Sequence, residues 1–374
     1  MNRLDIILLC DFILAFVLGI ALEQVILRVS YKNRLFDMPG YRKVHELPIP
    51  RLGGVVFLPV LLLLSIISLA ALYQMGILSS DLFQIKGVVR LSILILAASF
   101  IYVAGLVDDL SGLGSVVKFV IQILSALIIV SSGLYLHSFY GIAGIHEVPA
   151  WLGMAATVFI IVWIINAFNM IDGIDGLAGG LGIFSLFLLF VVYRHLRRFI
   201  FAMIAVVFLG AMLAFWTFNV FGRQEKHTKI FMGDAGSMTS GLVLSYLFIY
   251  LAFVGSGPNC EDNRIDLVFA LSTMAIPMLE VGRLFFVRLR SHKSPFQADA
   301  NHIHHQLLKA GLPAKHVLIV LLALDIVFVG CNILMAKTVN INLIILFNIL
   351  LYAGIMYGIH RLIIRRSALL SEGQ

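Results

Sequence analysis

The stretch "LGMAATVFIIVWIINAFNMIDGIDGLAGG" occupies residues 152–180. Its first half carries no charge and continues an apolar run. A helix crossing a bilayer core of roughly 30 Å needs about 20 such residues. Its second half closes on Asp172 and Asp175, set among glycines. Acids inside or at the edge of a membrane are functional candidates by default, because lipid penalises them. Asn166, Asn169, Asp172 and Asp175 recur every three residues, so a helix is expected to gather them in one polar stripe. Gly173 and Gly176 are expected to break that helix and let a ligand approach the backbone. A turn with ordinary caps is the plainer alternative.

The rest of the chain is as oily. Of 374 residues, 61% are hydrophobic and 13% charged, with a mean hydropathy of +1.02. Soluble domains carry about 25% charged residues. The composition predicts an all-α, polytopic integral membrane protein, one transmembrane domain over residues 1–374, with about eleven spans. These run at about 4–28, 52–74, 89–107, 118–137, 150–170, 177–193, 199–221, 237–255, 267–286, 316–336 and 341–360. Span 1 is kept as a span, because no small-residue cleavage site follows it. No alternating strand pattern lies between the spans, so sheet is not expected.

Orientation follows from lysine and arginine. With the N-terminus outside, 19 of the 27 basic residues fall on the inner side and 8 on the outer. The stretch "YRHLRR" (193–198) is the local exception. The net charge of +7 then reads as contact with anionic lipid of the inner leaflet. It is spread over loops without a nucleic-acid motif, which argues against nucleic acid as a partner. Cys10 and Cys331 lie in spans and Cys260 in an outer loop, with no C-x-x-C pair. Neither a disulfide framework nor a thiolate metal site is implied.

On this topology the unusual polar residues share the inner side. The first inner loop, "FDMPGYRKVHELPIPRLGG" (36–54), offers Arg42, Lys43 and His45 to phosphates or, alternatively, to the membrane surface as anchors. Asp108 and Asp109 end span 3, where a negative pair opposes the helix dipole. Adjacent helical residues point about 100° apart, so one can face a site while the other caps or bonds locally. Lys118 opens span 4, either at the site or snorkelling to the surface. Asp234 lies between Gly233 and Gly236 before span 8 and has the place of an N-cap. Phe231 is equally an interfacial aromatic. The last inner loop runs "RLRSHKSPFQADANHIHHQLLKAGL" (288–312) and carries Arg288, Arg290, His302, His304 and His305. Asp299 is placed to cap a short helix ending near Gly311, on which His302 and His305 share a face and His304 points elsewhere. The arginines are equally a solvated face.

Five acids at inner helix ends would repel one another, so a cation is implied. Carboxylates suit Mg²⁺, which takes one or two of them and completes its shell with water and substrate phosphates. Phosphoryl transfer uses such a layout, and the membrane setting points to a lipid as one substrate.

In order, "DDLSGLGSVVKF" (108–119), "NAFNMIDGIDGLAGG" (166–180), "FMGDAGS" (231–237) and "SPFQADANHIHH" (294–305) resemble the polyprenyl-phosphate N-acetylhexosamine-1-phosphate transferase superfamily. The "DxxHIHH" pattern is similar to its bacterial undecaprenyl-phosphate GlcNAc-1-phosphate transferases. The resemblance implies transfer of a sugar 1-phosphate from a UDP-sugar to undecaprenyl phosphate with release of UMP. It implies Mg²⁺, or Mn²⁺ in its place, and a bacterial inner-membrane enzyme whose site faces the cytoplasm; a homodimer is left open. By the same resemblance Asp234 is the main metal ligand, supported by Asp172 and Asn169. Asp108 and Asp109 hold or deprotonate the lipid phosphate or assist the metal. Asp175 and Phe231 meet the uracil. Lys118, His45, His302, His304 and His305 meet phosphate or sugar, and Arg288 and Arg290 are further substrate-binding candidates. "IPMLE" (276–280) departs from the pattern, since relatives often carry Asp where Glu280 stands, and Glu280 is left outside the site.

The rivals are the same reaction with another UDP-N-acetylhexosamine or with UDP-MurNAc-pentapeptide, and a transporter or flippase. Asp11 and Glu23 in span 1 would suit a transporter best. Against it, the acids map to one membrane edge and no internal repeat is visible.

Overall fold

The computed structural model describes residues 3–37, 48–76, 82–254, 264–292 and 301–372. The helices are α1 (Arg3–Asn33), α2 (Phe57–Gln74), α3 (Leu82–Ser111), α4 (Ser115–Ser131), α5 (Ala150–Ile171), α6 (Leu177–His195) and α7 (Phe199–Phe221). They continue as α8 (Gly233–Val254), α9 (Arg264–Thr273), α10 (Ala275–Arg290), α11 (Ile303–Lys309), α12 (Ala314–Ala336) and α13 (Ile341–Glu372). Among the described residues, 9 helices are long and apolar enough to cross a membrane, or 10 if α9 and α10 form one span. The protein is therefore an all-α, multi-pass membrane protein.

Every expected span meets a helix, but two differ from expectation. The fourth is only 17 residues long, short of the roughly 20 that cross the core. The ninth, expected as continuous over 267–286, bends by 71° between α9 and α10. Pro277 is the cause. It has no N–H to give the carbonyl of Thr273 four residues back. Ser185 Oγ of α6 donates to that carbonyl instead, at 2.5 Å.

Two small antiparallel sheets also form where none was expected. β1 (Phe36–Asp37) pairs with β2 (Ile49–Pro50), and β3 (Ser138–Ile142) with β4 (Ile145–Glu147). Strands this short carry no readable alternation. The first sheet closes the loop after α1, the second the connection between α4 and α5.

α7 and α8 form the centre. Their apolar windows are 83% and 94% buried, against 17% for α13. α8 runs opposite to α3 and α5, which flank it, so the C-terminal ends of α3 and α5 meet its N-terminal end. Asp108, Asp109, Asp172 and Asp234 come together there. At the far end Arg194 of the exceptional 193–198 stretch donates to Asp5 of α1. Arg90 of α3 lies over the rings of Tyr250 and Phe253, 5.3 and 5.0 Å from their centroids. Arg194 and Arg90 at that end thus have an acid and aromatic faces as partners.

Candidate active site

A cavity of about 420 Å³ opens at the acid-bearing end of the bundle. Its wall includes Asp108, Asp109, Asn169, Asp172, Asp175, Phe231, Asp234 and His305, together with Asp37, Arg51, Gly173 and Asn219. Residues far apart in the chain meet because each sits at a helix end or in the turn beside one.

Asp234 stands in the first turn of α8 and points across to α4 and α5. Its Oδ2 accepts from Lys118 Nζ at 2.8 Å and its Oδ1 from Asn169 Nδ2 at 2.8 Å. Asn169 also donates to Ser237 Oγ at 2.8 Å. Lys118 reaches Asp108 Oδ2 as well, at 3.2 Å, so one ammonium bridges two carboxylates. Asp108 Oδ1 accepts the Leu113 N–H at 2.6 Å, which fixes the turn leading to α4.

Asp109 turns the other way. Its two oxygens accept the backbone N–H groups of Asp234 and Ala235 at 2.9 and 3.0 Å. A carboxylate on the first free N–H groups of a helix satisfies them and faces the positive end of the dipole. Asp109, not Asp234, is the cap of α8. Gly233, at φ +73°, makes the approach possible. A Cβ there would lie 2.0 Å from the Arg51 carbonyl oxygen and 2.7 Å from Asp109 Oδ2.

The expected stripe is divided by the end of α5 at Ile171. Three helical steps rotate a side chain by about 300° rather than a full turn. Asn166 accordingly faces α4 and donates to Gln122 Oε1 at 2.7 Å, while Asn169 faces the cavity. Asp172 and Asp175 lie in the turn between α5 and α6. Asn219 Oδ1 accepts the Gly176 N–H at 2.6 Å and Asn219 Nδ2 donates to the Ile230 carbonyl at 2.8 Å, tying this turn to the segment before α8. Lys229 Nζ donates to Asp175 Oδ2 at 2.7 Å. Phe231 is held by its backbone: its N–H donates to the Pro50 carbonyl at 2.7 Å and its carbonyl accepts the Gly53 N–H at 2.9 Å. Burial, then the charges of Asp234, Asp175 and Asp109, push the Asp172 carboxyl up to about 7.

α11 brings in the histidines and ends before Gly311, as expected. The expected divergence of His304 does not hold. His302 precedes the helix as its N-cap residue and so falls outside its periodicity. The His304 ring centroid lies 5.4 Å from that of His302 and 4.3 Å from that of His305. His305 lines the cavity. His304 is buried, with no hydrogen bond to either ring nitrogen among the described residues. Its Nε2 presses on Gly173, where a Cβ would lie only 2.1 Å away. Burial and the neighbouring histidines push the His304 imidazole down to about 2, which keeps it neutral.

The remaining candidates lie elsewhere. Arg288, buried, and Arg290, exposed, end α10 and do not line the cavity. His45, Arg42, Lys43 and Asp299 fall outside the described residues. Four residues of the site escaped the sequence reading. Arg51 and Asp37, 3.6 Å apart, reach the wall through the small sheet of the first loop. Asn219 and Lys229 act on the turn of Asp175. Only the proximity of Arg51 to Gly53–Gly54 signalled it in the sequence.

The donor set suits a hard cation. Among the described residues no three His, Cys, Asp or Glu side chains form a cage by themselves. Mg²⁺ does not need one, since substrate phosphates and water complete its shell. Burial first, and then the neighbouring acids, raise the Asp172 carboxyl, and a bound cation would offset both. Asp234, Asp172 and the amide of Asn169 line the cavity and would offer oxygen donors to such a cation.

Acids, an aromatic ring and basic groups thus meet in one cavity at the helix ends of the bundle. Residues 91–252 match the family model of glycosyl transferase family 4. It is 27% identical over 350 residues to the "Probable undecaprenyl-phosphate N-acetylglucosaminyl 1-phosphate transferase" of Bacillus subtilis, covering 92% of this chain and 90% of that one. It is 28% identical over 324 residues to the undecaprenyl-phosphate alpha-N-acetylglucosaminyl 1-phosphate transferase of Yersinia pestis, covering 86% and 82%. With the enzyme of that name from Escherichia coli K12 it shares 29% identity over 312 residues, covering 81% and 77%.

Proposed function

We propose that this protein transfers GlcNAc 1-phosphate from UDP-GlcNAc to undecaprenyl phosphate, giving undecaprenyl-diphosphate-GlcNAc and UMP. The reaction is Mg²⁺-dependent and is carried by the whole chain as one transferase domain. It opens a cell-surface glycan pathway at the cytoplasmic face of a bacterial inner membrane. The observation that carries this reading is the convergence of four separate sequence motifs on one cavity, through Asp108, Asn169, Asp175, Phe231, Asp234 and His305.

The chemistry asks little of a base. A phosphate monoester has a second pKa near 6, so the lipid phosphate is largely dianionic at pH 7. Its oxygen attacks the sugar-bearing phosphorus in line. The bond from that phosphorus to the bridging oxygen breaks, and UMP leaves with the electron pair. Phe231 stacks on the uracil and Asp175 accepts a hydrogen bond from its edge. Lys118 and Arg51 offset charge on the phosphates, and Asp108 holds Lys118 in place. Asp234, Asp172 and Asn169 would hold Mg²⁺, which would supply positive charge to offset that of the diphosphate. Asp109 keeps the first turn of α8 in place.

The test is a radiolabel assay on purified protein, with undecaprenyl phosphate and a panel of UDP-sugars. Release of UMP in step with lipid product, highest with UDP-GlcNAc and lost in excess EDTA, is expected. Release of UDP, or undiminished turnover in EDTA, would overturn the reading.

A further inference from the structure

Glu280 is buried in α10 and belongs to no part of the cavity wall. Four hydrogen bonds nevertheless converge on its carboxylate. Arg283 Nε donates to Oε2 at 2.9 Å and Arg283 Nη2 to Oε1 at 2.7 Å. The backbone N–H of Ile303, which opens α11, donates to Oε1 at 2.8 Å. The hydroxyl of Tyr352 in α13 donates to Oε2. A carboxylate has about four lone-pair sites, so its capacity is filled. Arg283 Nη2 also donates to the Asn301 carbonyl at 2.5 Å, two residues before α11 begins. His302 Nδ1 stands 4.0 Å from Glu280 Oε1. At its other end α11 meets Arg366 of α13, which donates to the Lys309 carbonyl at 3.3 Å.

α11 has seven residues and carries His304 against Gly173 and His305 into the cavity. A helix that short does not hold a fixed place by its own hydrogen bonds. Its place must come from what grips it. A buried carboxylate bonded to its first N–H, and locked from α10 and α13 together, provides that grip.

We propose that Glu280 is a positioning residue for the reaction: it joins α10, α11 and α13 and so sets His304 and His305 against the turn that carries Asp172 and Asp175. This role rests on the transferase reading of the site. Glu280 touches no substrate and acts through the two histidines. The lock explains why a charged pair is kept in an apolar segment, where an unpaired acid or arginine would be costly.

The test uses full-length protein in lipid nanodiscs with two readouts: hydrogen–deuterium exchange over residues 301–312, and initial rates of UMP release from UDP-GlcNAc with undecaprenyl phosphate. Glu280→Gln removes the charge. Tyr352→Phe removes one hydrogen bond and leaves the ion pair, and so serves if Glu280→Gln fails to fold. Exchange over 301–312 is expected to quicken by at least about fivefold in either folded variant, with α8 unchanged. Unchanged exchange over 301–312, or equal quickening throughout the bundle, would overturn the proposal. In the rate arm each variant is expected to lower kcat/KM by about tenfold in the native background but by less than about twofold in a His304→Ala, His305→Ala background, because Glu280 acts through the two histidines. Equal losses in both backgrounds would overturn it as well. Absence of UMP release from the native protein counts against the transfer reading alone, and the exchange arm then decides the positioning role.

Discussion

The backbone N–H of Asp234 donates to Asp109 Oδ1 at 2.9 Å, across 125 residues of chain. The two adjacent acids that end α3 therefore differ in kind. Asp109 fastens the N-terminus of α8, and Asp108 faces Lys118. Asp109→Asn leaves one acceptor oxygen for two N–H groups and removes the charge at the helix dipole. It should cost about 1–2 kcal/mol of stability, whereas Asp108→Asn should leave the melting temperature nearly unchanged and remove most turnover. Thermal unfolding of the purified variants beside their initial rates checks this. An Asp109→Asn protein with native melting and no activity would give Asp109 a direct chemical role instead.

Lys118 holds Asp108 and Asp234 together, so their separate contributions have to be read by substitution. Asp234→Asn should abolish turnover and metal-dependent binding of UDP-GlcNAc. Asp108→Asn should lower kcat strongly and leave that binding nearly intact. Titration calorimetry with Mg²⁺ distinguishes the two. The reverse pattern would exchange the roles.

Phe231 reaches the cavity from a backbone fixed by Pro50 and Gly53. Its removal should leave the fold intact. Stacking of an aromatic ring on a base contributes about 1–3 kcal/mol. Phe231→Ala should therefore raise the KM for UDP-GlcNAc at least about fivefold while kcat changes little. A loss confined to kcat would exclude stacking.

Gly173 has no room for a methyl group beside His304, since a Cβ would lie 2.1 Å from Nε2. Gly173→Ala should displace the ring or the turn and lower kcat by at least about tenfold, with a smaller effect in a His304→Ala background. Initial rates of the two single variants and the double variant measure this. Equal losses in both backgrounds would show that the contact has no bearing on turnover.

The bundle places the cavity and the Arg194–Asp5 pair at opposite ends. In a cysteine-free background, Ser291→Cys should resist an impermeant thiol reagent in intact cells, and Thr338→Cys should react. Labelling at residue 291 from outside would invert the proposed sidedness.

The sequence by itself determined where the chain is apolar enough to cross a membrane, because hydropathy is summed over neighbouring residues and needs no partner. It also determined which acids, amides and histidines lie at the ends of those segments, and the order of the motifs. It did not determine where each side chain points. Asn166 and Asn169 are three residues apart in one helix, yet one meets α4 and the other the cavity. Asp108 and Asp109 are adjacent, yet one meets a lysine and the other a helix N-terminus. Such choices depend on helix phase and on which distant helix supplies a donor. Arg51, Asp37, Asn219 and Lys229 were hidden for the same reason, as was the grip of Glu280 on α11. The break at Met274 was not read from the sequence, where one continuous span was expected over 267–286. Pro277 marked a missing donor, but only packing brought Ser185 to the carbonyl it left free.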